Sequence, residues 1–380
     1  NNVAVGFEAL SANCGSGNVV LGCRAGKATT ASNNVFIGLD AGRINQGGSE
    51  NVAIGRLAFD ANTAGTNNVA VGNGALGSNT DADYNVAIGD NAGTALETGG
   101  ANTFVGAYAG DATDDGTSNT AMGYGALSAN CGDHNTALGA QAGTLITGGY
   151  NVCLGSGAGE KIAGADINIC IGGAAGGEIT TGTENIAIGY LAGRHGVNLA
   201  DGNRNILIGS YSDTTATNTT AATAIGYNVA GAAGYTTLGT DTDDIRAAHG
   251  TATWNAVSDE RYKKDIVDST AGLSFINALK PRTFKYKNLG ELPETFRAYK
   301  ADSTDVFKNS DTNHGFIAQE VKTAIDADSG IKDGFKLWDE RPDGSQEIGE
   351  AALIPVLTKA VQELSTALDA ALARIATLEG

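Results

Sequence analysis

Thirteen times between residues 2 and 209 the pentapeptide Asn-(Val/Thr/Ile)-x-apolar-Gly recurs, at Asn2/Gly6, Asn18/Gly22, Asn34/Gly38, Asn51/Gly55 and onward to Asn205/Gly209. Successive Asn residues are 16 or 17 apart, with one jump of 20 from Asn185 to Asn205. Ala stands three residues after the Gly in the first twelve copies, from Ala9 to Ala192. So short and regular a period restricts this part of the chain to a solenoid with one coil per repeat. Val3 and Val5, Val19 and Leu21, Val35 and Ile37, and Val52 and Ile54 share one side of an alternating segment, with mostly smaller residues between. Alternation of this kind reads as a half-buried strand. A single short strand cannot bury its face, whereas a stack of them makes a continuous core. Two short strands per coil would give a narrow parallel β-roll.

Each recurring element has a physical use. The Gly permits positive φ or close backbone approach. The Asn either ladders its amide to the coils above and below or simply forms a turn. A coil this small has little interior, so the Ala after the Gly is expected to form a compact surface where neighbouring chains meet, in a homotrimer. The array then serves as a stiff stalk. Its Asp-rich loops (Asp81 and Asp83; Asp111, Asp114 and Asp115) read as solvated turn acids, with Ca²⁺ as the open alternative. They lack the ordered ligand spacing of a calcium loop. No cofactor is expected.

Composition narrows the partners. The formal net charge is −18, and residues 1–257 hold 8 basic against 21 acidic residues. A field of that sign repels phosphate backbones, which argues against nucleic acid. The five cysteines, Cys14, Cys23, Cys131, Cys153 and Cys170, are odd in number and have no metal-ligand spacing. Cys153 and Cys170 occupy the repeat position that holds Ala or Phe elsewhere, so they read as small apolar filler. No apolar run approaches the roughly 20 residues that span a bilayer. The first residues enter a repeat midway without an initiating Met, as expected of a fragment or a processed product.

The composition changes at Ser258-Asp259-Glu260-Arg261-Tyr262-Lys263-Lys264: all 5 Cys and 47 of the 55 Gly lie before Ser258, and all 4 Pro lie after it. Residues 1–212 are the β-roll shaft. Residues 213–257 are a neck of degenerate copies, Ala224-Ile225-Gly226 and Thr237-Leu238-Gly239, with Trp254 expected as an apolar plug. Residues 258–380 form a small α+β domain. There Leu273, Ile276 and Leu279 mark a helix stopped by Pro281. Thr283-Phe284-Lys285-Tyr286-Lys287 alternates as a strand, a second helix opens around Gly315–Val321, and Arg341-Pro342-Asp343-Gly344 makes a turn. Over 353–379 the apolar residues Ile354, Leu357, Val361, Leu364, Leu368, Ala371, Ile375 and Leu378 recur at alternating spacings of three and four, which is a coiled-coil seam.

Two resemblances follow from these motifs. The repeats resemble the head of trimeric autotransporter adhesins, whose Asn-x-Val-Ala-Ile-Gly motifs build a left-handed roll of three chains; phage tail fibres carry the same motif. Ser258-Asp259-x-Arg261-x-Lys263, Leu273-x-x-Ile276-x-x-Leu279-x-Pro281, Phe284-x-Tyr286, Gly315-Phe316-Ile317-Ala318-Gln319-Glu320-Val321 and Ala360-Val361-Gln362-Glu363-Leu364 occur in order. They look like the C-terminal intramolecular chaperone domain of phage tailspikes, endosialidases and long tail fibres, although Tyr262 stands where that family usually has Leu. The resemblance implies a domain that trimerises, nucleates the fibre and then cuts itself off once with a Ser–Lys dyad. Carried over, Ser258 is the nucleophile, Lys263 the general base and Ser258–Asp259 the scissile bond. A lysine acts as base only in its neutral form, favoured by burial or by cations such as Arg261 and Lys264. The implied setting is an extracellular virion tail fibre that meets a host-surface glycan or protein. The alternative is a bacterial surface adhesin or filament subunit that keeps its C-terminal domain as a permanent trimer cap.

Overall fold

In the computed structural model, which describes residues 1–241, 243–251, 254–256, 258–328, 330–331 and 335–379, the chain divides into two compact units, Asn1–Ser258 and Asp259–Gly380. The first is a parallel β-solenoid of about 14 turns. Each repeat contributes a three-residue strand, from Val3–Val5 to Ile206–Ile208, paired in parallel with its neighbours so that equivalent residues lie side by side (Val52 beside Val35 and Val69, for example). The degenerate copies continue the same stack: Thr223–Tyr227 pairs with Ile206–Ile208, and Tyr235–Thr240 pairs with Thr223–Tyr227.

Three features of the coil add to or depart from what the sequence predicts. The first is the direction of the strand faces, which alternation alone leaves open. From the second strand onward the central residue of the triplet points inward and is buried (Val20, Phe36, Ala53, Ala70, Cys153, Cys170), whereas the flanking Val, Ile and Leu residues point outward. The interior is too narrow for the larger set. Phe36 fits only because Gly42 faces it, where an added Cβ would lie 2.7 Å from the ring; Gly110 does the same for Phe104. The second concerns the Ala three residues after the Gly. Ala25, Ala41, Ala58 and their equivalents to Ala192 are buried core, not a meeting surface. The third concerns the return side of the coil, which is a series of turns rather than a second strand until the last coils, where Asp213–Thr214 pairs in parallel with Ala230–Gly231. Left-handed residues recur on it, such as Asp40 (φ 59°) and Gly42 (φ 59°), and they interrupt extended backbone. Cross-coil hydrogen bonds continue along these turns nonetheless, as from Phe59 N–H to the Ala75 carbonyl at 2.9 Å.

The repeated Asn does form a ladder. Each Oδ1 accepts the backbone N–H of the next Asn: Asn18 from Asn34, Asn34 from Asn51 and Asn51 from Asn68, all at 2.9 Å. Nearly every Nδ2 donates to a carbonyl closing the next turn, as Asn51 to Gly65 at 2.9 Å and Asn102 to Gly116 at 2.8 Å; that of Asn119 is buried without a hydrogen bond. The Gly column explains itself equally directly. Gly72 has φ 140°, and a Cβ there would sit 2.1 Å from the carbonyl oxygen of Gly89 in the next coil. Some loop acids serve as cross-coil acceptors: Asp81 Oδ1 takes Thr63 Oγ1–H at 2.6 Å, Asp83 Oδ1 takes Thr66 N–H and Oγ1–H at 2.6 and 2.9 Å, and Asp133 Oδ1 takes those of Thr117 at 2.7 and 2.9 Å, whereas Asp111 Oδ1 is buried without a hydrogen bond. Among the described residues no group of three or more His, Cys, Asp or Glu is placed to hold a metal ion.

The stack closes with a change of direction. Asp243–Ala248 runs antiparallel to Tyr235–Thr240, and Asn255–Ala256 runs antiparallel to Asp243–Ala248. Trp254, expected as a buried plug, is 48% exposed because the strand it precedes lies at the outer edge of this sheet. Ala252, Thr253 and Val257 of the neck lie outside the described residues.

Among the described residues the second unit holds three α-helices, α1 (Leu273–Ala278), α2 (Ala318–Ala327) and α3 (Leu353–Glu379), with two small antiparallel strand pairs. Ala271, Phe275, Val321, Ala324, Ile325, Leu337, Leu353 and Val356 form its core. The strand expected over residues 283–287 is shorter and earlier, Arg282–Phe284, and pairs with Asn313–Gly315. No helix among the described residues is long and apolar enough to cross a membrane.

Candidate self-processing site

Ser258 is exposed at the end of the first unit, and the peptide bond to Asp259 is where the two units divide. Asp259 caps a short 3₁₀ turn, Glu260–Tyr262, because its Oδ1 accepts Arg261 N–H at 2.9 Å. The Arg261 guanidinium folds back onto the same carboxylate, Nε to Oδ1 at 3.0 Å and Nη2 to Oδ2 at 2.5 Å. These bonds hold the Asp259 carboxyl below its ordinary range and raise the guanidinium. Arg261 is thus committed to Asp259, which tempers its field at neighbouring groups. Lys263 follows the turn, its N–H donating to the Glu260 carbonyl at 2.9 Å, and Lys263 and Lys264 are exposed. The one turn therefore carries every residue named from the sequence: Ser258 and Asp259 at its entrance, Arg261 within it, Lys263 and Lys264 at its exit.

The remaining motifs connect elements of the second unit. Pro281 is followed by Arg282, whose guanidinium pairs with Glu320 of α2 at 2.9 and 2.6 Å. Gly315 lies against the Phe284 ring, where a Cβ would sit at 3.5 Å, and Phe284 meets Tyr286 edge-on at 5.4 Å. Glu363 of α3 accepts Leu273 N–H at 2.8 Å, so a carboxylate ninety residues downstream satisfies an open donor at the start of α1. Spacing within the motifs held no signal for that long-range cap.

The α3 seam faces solvent. Leu353, Val356 and Ala360 on its first turns join the core, while Ile354, Leu357, Val361, Leu364, Leu368, Ile375 and Leu378 are exposed. On the shaft, Ile54, Ile88, Met122 and Leu138 are exposed on the outer faces of their strands.

No curated protein and no solved structure gives a match to this chain. Residues 258–329 match the model of the family described as chaperone of endosialidase, and that domain behind a β-solenoid fits a tail fibre with a C-terminal chaperone domain.

Proposed function

We propose that the chain is a shaft segment of a homotrimeric tail fibre on the virion, whose C-terminal domain gathers three copies, starts their folding and is then released by one cut at Ser258–Asp259. The observation that carries the trimer is apolar surface left open in a single chain: the outward Val, Ile and Leu columns of the shaft and the unbroken seam of α3. Contiguous patches of this kind mark association surfaces. A heptad seam is covered by copies of itself.

The cut is supported by position and by chemistry. Ser258 lies where the two compact units divide, so hydrolysis there parts them without opening either core. A Ser258 hydroxyl attacking its own carbonyl would close a strained four-membered ring. Attack on this bond therefore comes from Ser258 of a second copy: Lys263 takes the hydroxyl proton and passes it to the Asp259 amine as the peptide bond breaks, and water then hydrolyses the ester and restores the serine. Packing of three copies around the 258–264 turn would desolvate Lys263 and favour the neutral amine that this role needs. Cleavage thus follows assembly.

Denaturing electrophoresis with intact mass on freshly expressed protein, beside Ser258→Ala and Lys263→Ala, tests the cut. Splitting of the wild type after Ser258 with both variants intact is the expected result. An intact wild type would overturn self-processing and favour a surface adhesin or filament subunit with a permanent trimeric cap.

A further inference from the structure

Near its C-terminal end the solenoid carries an aromatic strip. Tyr190, Tyr211 and Tyr227 sit on three successive coils, with ring centroids 5.6 Å apart at each step and planes at 89° and 84°. Tyr190 and Tyr227 are about half exposed. The strip lies where the repeat breaks its own rule, in the coil that takes 20 residues instead of 16 or 17. The residues of the enlarged turn fold against the strip: His195 packs on Tyr211 at 4.7 Å between centroids. Asp213, itself buried, accepts Asn198 N–H at 3.2 Å and so ties the turn to the next coil. Beside Tyr227, Asn228 donates to Asp241 at 2.6 Å. In repeat proteins insertions gather on the face that binds.

We propose that this strip is a binding site for a neutral oligosaccharide. Half-exposed rings held rigidly by their neighbours offer apolar faces to the C–H surfaces of a sugar with little conformational cost. Asn228, Asp241 and the tyrosine hydroxyls supply hydrogen-bonding groups beside them. The strip's polar flank is acidic and lies on a shaft with 8 basic against 21 acidic residues over 1–257, which disfavours sialylated or phosphorylated chains. The site needs neither cleavage nor the chaperone domain, so its failure would leave the assembly reading untouched.

The test is a calorimetric and saturation-transfer NMR titration of the full chain with cello-, chito- and malto-oligosaccharides, followed by the variants Tyr227→Ala and Tyr190→Ala and, as a control, exposed Tyr84→Ala. Binding of at least one series, weakened roughly tenfold or more in both strip variants and unchanged in Tyr84→Ala, is expected for loss of an aromatic anchor. No binding of any series at millimolar concentration overturns the proposal, as does equal binding by all variants. A changed oligomeric mass in Tyr227→Ala or Tyr190→Ala also overturns it, because the strip would then belong to the interface between copies.

Discussion

Asn85 Oδ1 accepts the backbone N–H of Asn102 at 2.9 Å, and Asn85 Nδ2 donates to the Gly99 carbonyl at 3.0 Å, so one buried amide joins two successive coils at two points. Asn85→Ala leaves a buried N–H and a buried carbonyl without that partner. We expect a loss of roughly 2–4 kcal/mol, read as a lower urea midpoint with unchanged slope. Asn85→Asp keeps the acceptor and loses the donor, and falls between the two.

The Gly column and the turn glycines should respond differently to a methyl group. Gly72→Ala places Cβ 2.1 Å from the Gly89 carbonyl oxygen and should abolish stacking at that coil. Gly125, at φ 61°, has nothing within 4 Å of its would-be Cβ, so Gly125→Ala should cost only about 1 kcal/mol of left-handed strain. Circular dichroism melts of the two variants check the contrast.

Asn79 is buried with neither side-chain atom hydrogen-bonded to the protein, and the equivalent position one coil on is Leu96, also buried. Its predecessors Asn45 and Asn62 bond to each other, which leaves Asn79 between that bonded pair and the apolar side chain of Leu96 in the same internal column. Asn79→Leu should stabilise the shaft by about 1–3 kcal/mol, measured as a raised urea midpoint.

Charge on the outer strand face separates assembly from folding. Ile88 and Met122 are 41% and 48% exposed in one chain, so Ile88→Asp or Met122→Asp should cost a lone coil under about 0.5 kcal/mol. Buried between copies, the same carboxylate is unpaired and should weaken association of the shaft. Light scattering after size exclusion is expected to show a larger monomer fraction for the variants than for the wild type.

In the second unit the Asp343 carboxylate accepts from Ser345 N–H and Oγ–H at 2.9 and 2.6 Å and from Arg297 N–H at 3.1 Å. These bonds, the Ser345 hydroxyl first, pull its pKa down to about 2, below the ordinary carboxylate range. A depressed carboxyl stabilises above its unfolded pKa and loses that contribution as pH falls through the folded value. The Arg341–Ser345 turn should therefore hold its amide chemical shifts down to about pH 4 and lose them toward pH 2. Asp343→Asn should perturb those shifts at pH 7 and differ less from wild type at pH 2, where Asp343 is about half protonated.

The backbone devices of the shaft were legible because they recur in phase. Only an amide able to bridge coils, and only a residue without Cβ, survives at Asn85 or Gly72 in copy after copy. The direction of the strand faces was not legible, because Val52, Ala53 and Ile54 are all apolar and alternation alone does not say which set faces inward. Interior volume decides that, and its sequence trace is the pairing of Phe36 with Gly42 and of Phe104 with Gly110. In the second unit Pro281 and the 353–379 heptads announce themselves locally. The Glu363 cap on Leu273 joins residues ninety apart, which no local window contains. The 258–264 turn was visible as a motif, while its Asp259–Arg261 clasp emerged only from the fold.

Because every repeat adds one strand to the same parallel sheet, copy number acts as a tape measure. Removing one whole copy, such as residues 68–84, rejoins equivalent positions and should shorten the shaft by about 4.8 Å while leaving both ends unchanged. The antiparallel return of Asp243–Ala248 onto Tyr235–Thr240 marks where the tape stops: beyond it the edge no longer presents the parallel register that a further coil would copy. Length in such a fibre is therefore heritable in whole graduations, gained or lost by duplication and deletion without redesign of any contact.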